Sequence, residues 1–157
     1  MDELNRQINL NPVEAAREEG PIDKDGTEDI WQAVLKGSLA GVKYHFAQNP
    51  STLNKKHGYE DFTVLHLASI KGHFEIAKYL LSKLAQVDAP NKFNKTPLMY
   101  ACLHCHISIV NLLLDKGADI NHLDINRETP LYDAVKGKHL EIVKLLIDRG
   151  ADRTIKK

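Results

Sequence analysis

Cys102, Cys105 and His106 stand in the spacing C-x-x-C-H within YACLHCHISIV, residues 100–110. Two cysteines so placed, followed by a histidine, can attach a c-type haem through two thioethers with the imidazole as axial ligand. His104 lies between them, so Cys102, His104, Cys105 and His106 also offer the sulfur and nitrogen donors that zinc takes. A haem would further need a cavity, a sixth ligand and an oxidising compartment. A zinc site would need converging ligands, more than one turn of chain readily supplies. Other chemistry is harder to find. No phosphate-binding G-x-x-x-x-G-K-[ST], dinucleotide G-x-G-x-x-G, zinc-protease H-E-x-x-H or nucleophile G-x-S-x-G occurs. DKDGTE, from Asp23 to Glu28, resembles a calcium loop. With Gly26 as its sixth position, however, Pro21 and Gln32 would fall at the first and twelfth, where carboxylates are needed. The chain gives no residue-level support for an enzyme.

The elements that would position these residues follow from an internal repeat. FTVLHLASIKGHFEIAKYLL, KTPLMYACLHCHISIVNLLL and ETPLYDAVKGKHLEIVKLLI start at Phe62, Lys95 and Glu128, 33 residues apart each time. Thr63, Thr96 and Thr129 share a column, as do Leu65, Leu98 and Leu131, His73, His106 and His139, and Ile76, Ile109 and Ile142. GADIN at Gly117 returns as GADRT at Gly150. A weaker copy runs from Asp29 to Phe46, displaced by 35, with two extra residues placed in the loop around Pro50 to Tyr59. Thr-Pro makes an N-cap and first helical position. A short helix follows, then a second such as Ile107 to Lys116, stopped at Gly117 where a left-handed cap wants glycine. That second helix is apolar on more than one side, as a unit sandwiched between neighbours requires. Between units the chain is polar and turn-rich.

These residues resemble the ankyrin repeat family: a T-P-L start, a G-H pair, an I-V-x-L-L-L helix and G-A-D-x-N, over about residues 28–155. The resemblance implies an all-α solenoid of helix-turn-helix units with projecting β-hairpin or loop fingers. The repeats would span about 28–60, 61–93, 94–126 and 127–157, after an acidic N-terminal arm of residues 1–27. In the finger glycine column stand Asp61, Asn94 and Arg127. Asp and Asn tolerate positive φ better than Arg does, which puts the third finger's geometry in question.

The register also accounts for C-x-x-C-H. Cys102 takes a small-residue column shared with Ser69 and Val135, Cys105 the turn column of Gly72 and Lys138, and His106 the histidine column. The expectation is therefore a protein without cofactor or metal. The alternative is zinc at Cys102, Cys105, His104 and His106.

The resemblance implies non-catalytic binding of another protein, as adaptor, scaffold or inhibitor, through the concave face of fingers and first helices. Carried over by column, the recognition residues are Leu35, Tyr59, Phe62, Ile70, Lys71, Lys92, Phe93, Lys95, Leu103, His104, Ile125, Glu128 and Lys136. Apolar members would form one patch, with Phe62, Phe93 and Leu103 as anchors and lysines at the rim. That rim suits a partner of acidic character. A pathogen effector could use the same scaffold.

Lys plus Arg and Asp plus Glu number 21 each, for a formal net charge of zero, so neither nucleic acid nor an anionic membrane is the expected partner. Residues 1–29 carry nine acids against three bases, leaving −6 there and +6 on the rest. Neither a signal-peptide pattern nor 18 consecutive apolar residues occurs. The expected place is cytoplasmic or nuclear, not secreted. Asn11-Pro12 to Gly20 has the marks of a short helix within the acidic arm, which could fold back on the body. In the fourth repeat Ile142, Leu145, Leu146 and Ile147 are all apolar, so the expectation is either that further chain follows or that its outer side is covered by a partner or oligomer mate.

Overall fold

The computed structural model describes residues 29–154, and the arm of residues 1–27 lies outside them. Among the described residues eight helices form four consecutive pairs. They are α1 (Ile30–Lys36) with α2 (Leu39–Gln48), α3 (Val64–Lys71) with α4 (Phe74–Ser82), α5 (Pro97–Leu103) with α6 (Ile107–Asp115), and α7 (Pro130–Lys136) with α8 (Leu140–Asp148). A 3-10 turn at Pro50–Thr52 lies in the loop where the two extra residues were expected. None of the described helices is long and apolar enough to cross a membrane.

Each first helix starts where its cap residue dictates. Thr63, Thr96 and Thr129 accept the N–H groups of His66, Met99 and Tyr132 through their hydroxyls. Pro97 and Pro130 occupy the first helical position, where no N–H is needed. The turn to the second helix needs one left-handed residue: Gly37, Gly72, Cys105 and Lys138 have φ of 75°, 77°, 62° and 60°. The last three second helices end alike, with Leu84, Gly117 and Gly150 at 71°, 89° and 92°, whereas α2 ends at Asn49 with φ −147°.

First helices stack on first helices and second helices on second, with the core between the two rows. Ile76, Ile109 and Ile142 line up along its length, with Leu80, Leu113 and Leu146 beside them, all fully buried. Burial of one such side chain stabilises the fold by about 1.5–3 kcal/mol.

Polar clasps fix the register between units. A carbonyl can only accept, so the Nε2–H of His106 donates to Ile70 O at 2.9 Å and that of His139 to Leu103 O at 2.8 Å. The His73 ring packs on Gly37 as the His106 ring does on Gly72, but its buried Nε2 has no hydrogen-bond partner among the described residues. On the far edge the N–H groups of Gln86, Asp119 and Asp152 donate to the side chains of Asn54, Asp88 and Asn121 in the preceding unit, at 2.9, 3.1 and 2.8 Å.

The fingers are tight turns closed by Asn91 N–H to Lys95 O and Asp124 N–H to Glu128 O, and in the first finger by the isolated bridge between His57 and Phe62. Each finger grips its neighbour: Lys92 N–H donates to Glu60 O at 2.9 Å and Ile125 N–H to Phe93 O at 3.0 Å. Asp61, Asn94 and Arg127 all adopt φ near 60° (59°, 57° and 63°), so the third finger keeps the shared geometry despite its arginine. For a non-glycine residue that conformation costs about 1–2 kcal/mol.

Candidate functional site

Fingers and first helices place the residues singled out above in three different environments. Tyr59 and Ile125 project from the fingers, 71% and 60% exposed. Lys92 is exposed and folds back so that its Nζ lies 3.4 Å from the centroid of the Tyr59 ring, a cation–π contact that braces the ring. Lys136 is exposed as well. Leu35, Lys71, Phe93, Leu103 and His104 are half-buried, and burial pushes the Lys71 pKa down.

Phe62, Ile70 and Glu128 are buried, which removes them from an accessible surface. Phe62 is therefore not an anchor for a partner. Its ring packs against His66 and meets Tyr100 of the next unit edge-on, 5.4 Å between centroids. The continuous patch of seven apolar residues is accordingly interrupted. Lys95 is not a rim lysine either. Its Nζ lies 3.0 Å from Asp124 Oδ2, 3.2 Å from Asp133 Oδ1 and 3.9 Å from Glu128 Oε2, three carboxylates in the interior.

Phe62 and Lys95 share a column, as do Tyr100 and Asp133. The edge-on ring contact between the second and third units thus becomes an ion pair between the third and fourth. Burial works against the Lys95 ammonium, but Asp133 and Asp124 outweigh it and hold its pKa above the ordinary value. Burial pushes Asp133 up to about 6 against the pull of Lys95. Both groups are thus raised, Lys95 as an ion pair requires and Asp133 against that expectation, because burial outweighs its share of a cation divided among three acids. Burial also opposes Asp124, but the Glu128 N–H and Lys95 together keep it below the ordinary range.

His66, the histidine that follows the Thr-x-Leu start of the second unit and is absent from that column in the others, is a second buried polar node. Its Nδ1 accepts the Thr63 N–H at 3.0 Å, which leaves its Nε2–H to donate to Lys95 O at 3.0 Å. Burial lowers its pKa to about 4, so the ring is neutral at physiological pH. The sequence signal for the carboxylate cluster was Asp133 in a column otherwise held by Leu67 and Tyr100.

C-x-x-C-H does not converge on a point. Cys102 is fully buried, and burial pushes its thiol pKa up strongly. Cys105 is exposed in the left-handed turn and lines a shallow cleft of about 270 Å³ between the second and third units, with Gly72, Phe74 and His106. His106 has its Nε2 committed to Ile70 O. One thiol inside and one outside cannot hold a single haem. Among the described residues no three His, Cys, Asp or Glu side chains are grouped to hold a metal ion. The zinc alternative at Cys102, Cys105, His104 and His106 is therefore set aside.

A family model described as ankyrin repeats (3 copies) matches residues 30–124, and one described as ankyrin repeats (many copies) matches residues 104–147. The E3 ubiquitin-protein ligase XB3 of Oryza sativa subsp. japonica is 33% identical over 76 residues, which are 48% of this chain and 17% of that protein. Ankyrin repeat domain-containing protein 39 of Homo sapiens is 35% identical over 69 residues, 43% of this chain and 36% of its own length. The matched stretches are thus minor parts of these relatives.

Proposed function

The chain belongs to the ankyrin repeat family, a protein–protein interaction scaffold, and on that premise we propose that it acts without catalysis as an adaptor, scaffold or inhibitor. The partner is held along the fingers and the open side of the first helices. The observation that carries this reading is the pair Tyr59 and Ile125, large apolar side chains left in solvent on fingers whose backbones are bonded to one another. An aromatic ring fixed by Lys92 loses little freedom on binding, and such rings commonly dominate recognition. Phe93, Leu35 and Leu103 extend the surface inward, with Lys71 and His104 beside them. Exposed Lys92 and Lys136 favour a partner segment of acidic character. The likeness to the rice ligase is confined to a minor part of that protein, so it supports a shared scaffold and lends no reaction to this chain.

The test is affinity capture from the native cell with the wild-type chain and with a Tyr59→Ser/Ile125→Ser variant. Both substitutions are at exposed positions, so the melting temperature should hold while the captured partner is lost. Equal capture by both chains would reject the finger surface as the binding site.

A further inference from the structure

Exposed charge is sorted by sign between the two sides of the solenoid. The acids of the fingers and first helices are Glu60, Asp61, Asp124, Glu128 and Asp133, and all but Asp61 are buried. Their cations lie the other way. Lys36, Lys92, Arg127 and Lys136 are exposed and Lys71 is half-buried, while Lys95 is drawn in among the acids. The second helices carry both signs, with Glu75, Asp115, Glu141 and Asp148 against Lys43, Lys78 and Lys144, all exposed. The finger side is therefore a positive strip running from the first unit to the fourth, with Tyr59 and Ile125 standing in it. The row of second helices has no such bias.

The same chain carries a segment of the opposite sign. Residues 1–28, which precede the described ones, hold eight acids against Arg6, Arg17 and Lys24, with Leu4, Ile8, Leu10, Val13 and Ile22 spread among them. They join the body at Asp29, whose side chain caps α1. In each later unit a finger leads into the first helix at that point, so the arm enters from the finger side. Fully extended it reaches about 90 Å, whereas four first helices packed about 10 Å apart put the far end of the strip about 30 Å away. A tethered segment meets its own body at an effective concentration of about millimolar, so contacts that are weak one by one suffice.

We propose that residues 1–28 dock on the finger and first-helix side of their own chain, acids against the strip of Lys and Arg, and that a partner reaches this side by displacing them. The inference rests on the binding function proposed above and names its regulator: the arm is a resident competitor for the same surface. Exposed ion pairs are individually weak and screened by salt, so the docked arm exchanges readily and yields to a partner that adds apolar contacts at Tyr59 and Ile125. The mixed charge of the second helices offers the arm no comparable attraction.

Trypsin cleaves after Arg17 and Lys24, and docking slows that cleavage. The full chain is compared with Lys92→Glu/Lys136→Glu and, separately, with Lys36→Glu/Arg127→Glu, all at exposed positions. The arm should be cut about fivefold faster or more in both variants, and Lys78→Glu/Lys144→Glu on the second helices should leave the rate unchanged. Equal melting temperatures would confirm that the variants are folded, and should one pair misfold, the other decides. The digest contains no partner, so its result stands apart from the capture test of the finger surface. Docking would be overturned by equal rates in all four chains or by acceleration in the second-helix variant alone. Protection that falls on dilution would assign the arm to a second copy and overturn it equally. For displacement, Glu14→Gln/Glu18→Gln/Glu19→Gln should raise the amount of partner captured severalfold, and capture equal to wild type would overturn the competition.

Discussion

Replacing Lys95 with Met removes a cation while keeping an unbranched stem of similar size. What remains is Asp124, Glu128 and Asp133, buried together with no positive charge between them. At about 3 Å and an effective dielectric constant of about 20, one such pair has a gross attraction of about 5 kcal/mol. Part of that is returned because the ammonium no longer has to be desolvated. Removing one partner of a buried ion pair costs about 3–5 kcal/mol in practice, and a loss of that size is expected at about pH 7.5. The loss should shrink by about 1 kcal/mol or more near pH 5, because Asp133, with a pKa of about 6, is then protonated and no longer needs the cation. Adding Asp133→Leu, the residue its column holds in the second unit, should restore about half of the stability or more at the higher pH. Urea titration followed by circular dichroism on the three chains at both pH values gives the free energies compared. A loss in the single variant under about 1 kcal/mol, equal at both pH values, would mean that water screens the cluster as it does a surface pair, and the argument would fail.

Two further outcomes are expected. His66 has a folded pKa of about 4 against 6.5 when free, so its contribution is complete above 6.5 and lost as pH falls toward 4. Asp133 runs the other way: from 3.8 when free to about 6, its contribution is complete below 3.8 and lost as pH rises through 6. Each is worth about 3 kcal/mol at full extent, so the two largely offset between pH 4 and 6, and Asp133→Asn should expose a loss on acidification there. A parallel pH dependence of urea stability in wild type and Asp133→Asn would contradict this. Leu84, 85% exposed at φ 71° in a column held by glycine in the third and fourth units, gives up little burial on substitution. Leu84→Gly should stabilise by about 0.5–1 kcal/mol, the left-handed strain relieved less the chain entropy that glycine adds. A lower midpoint in thermal or urea unfolding would refute it.

The repeated columns made the architecture legible. Apolar residues every 33 positions, threonine before proline, and glycine after the last two second helices have local causes, and the helices fall where those residues require. The burial of Ile76, Ile109 and Ile142 follows from the same columns. The surface was legible only in part. Column position distinguishes inner helix from finger, but not whether a neighbouring unit covers a given side chain. Phe62 and Lys95 occupy one column, and both turn inward for reasons held 38 residues further on, in Tyr100 for the phenylalanine and Asp133 for the lysine. A charged residue looks solvated in a linear reading until its opposite charges are found in the next turn of the solenoid. His104 and Cys105 stood out for their ligand chemistry, while the turn needed only a left-handed residue at Cys105.

His73 lacks the carbonyl bond that His106 and His139 make, and the seam it occupies is the one that follows the irregular loop. Under tension along its length, a rod of stacked units parts at its least-fastened joint. The first unit would peel away there as a separate piece, while the other three, latched to one another, went on bearing load.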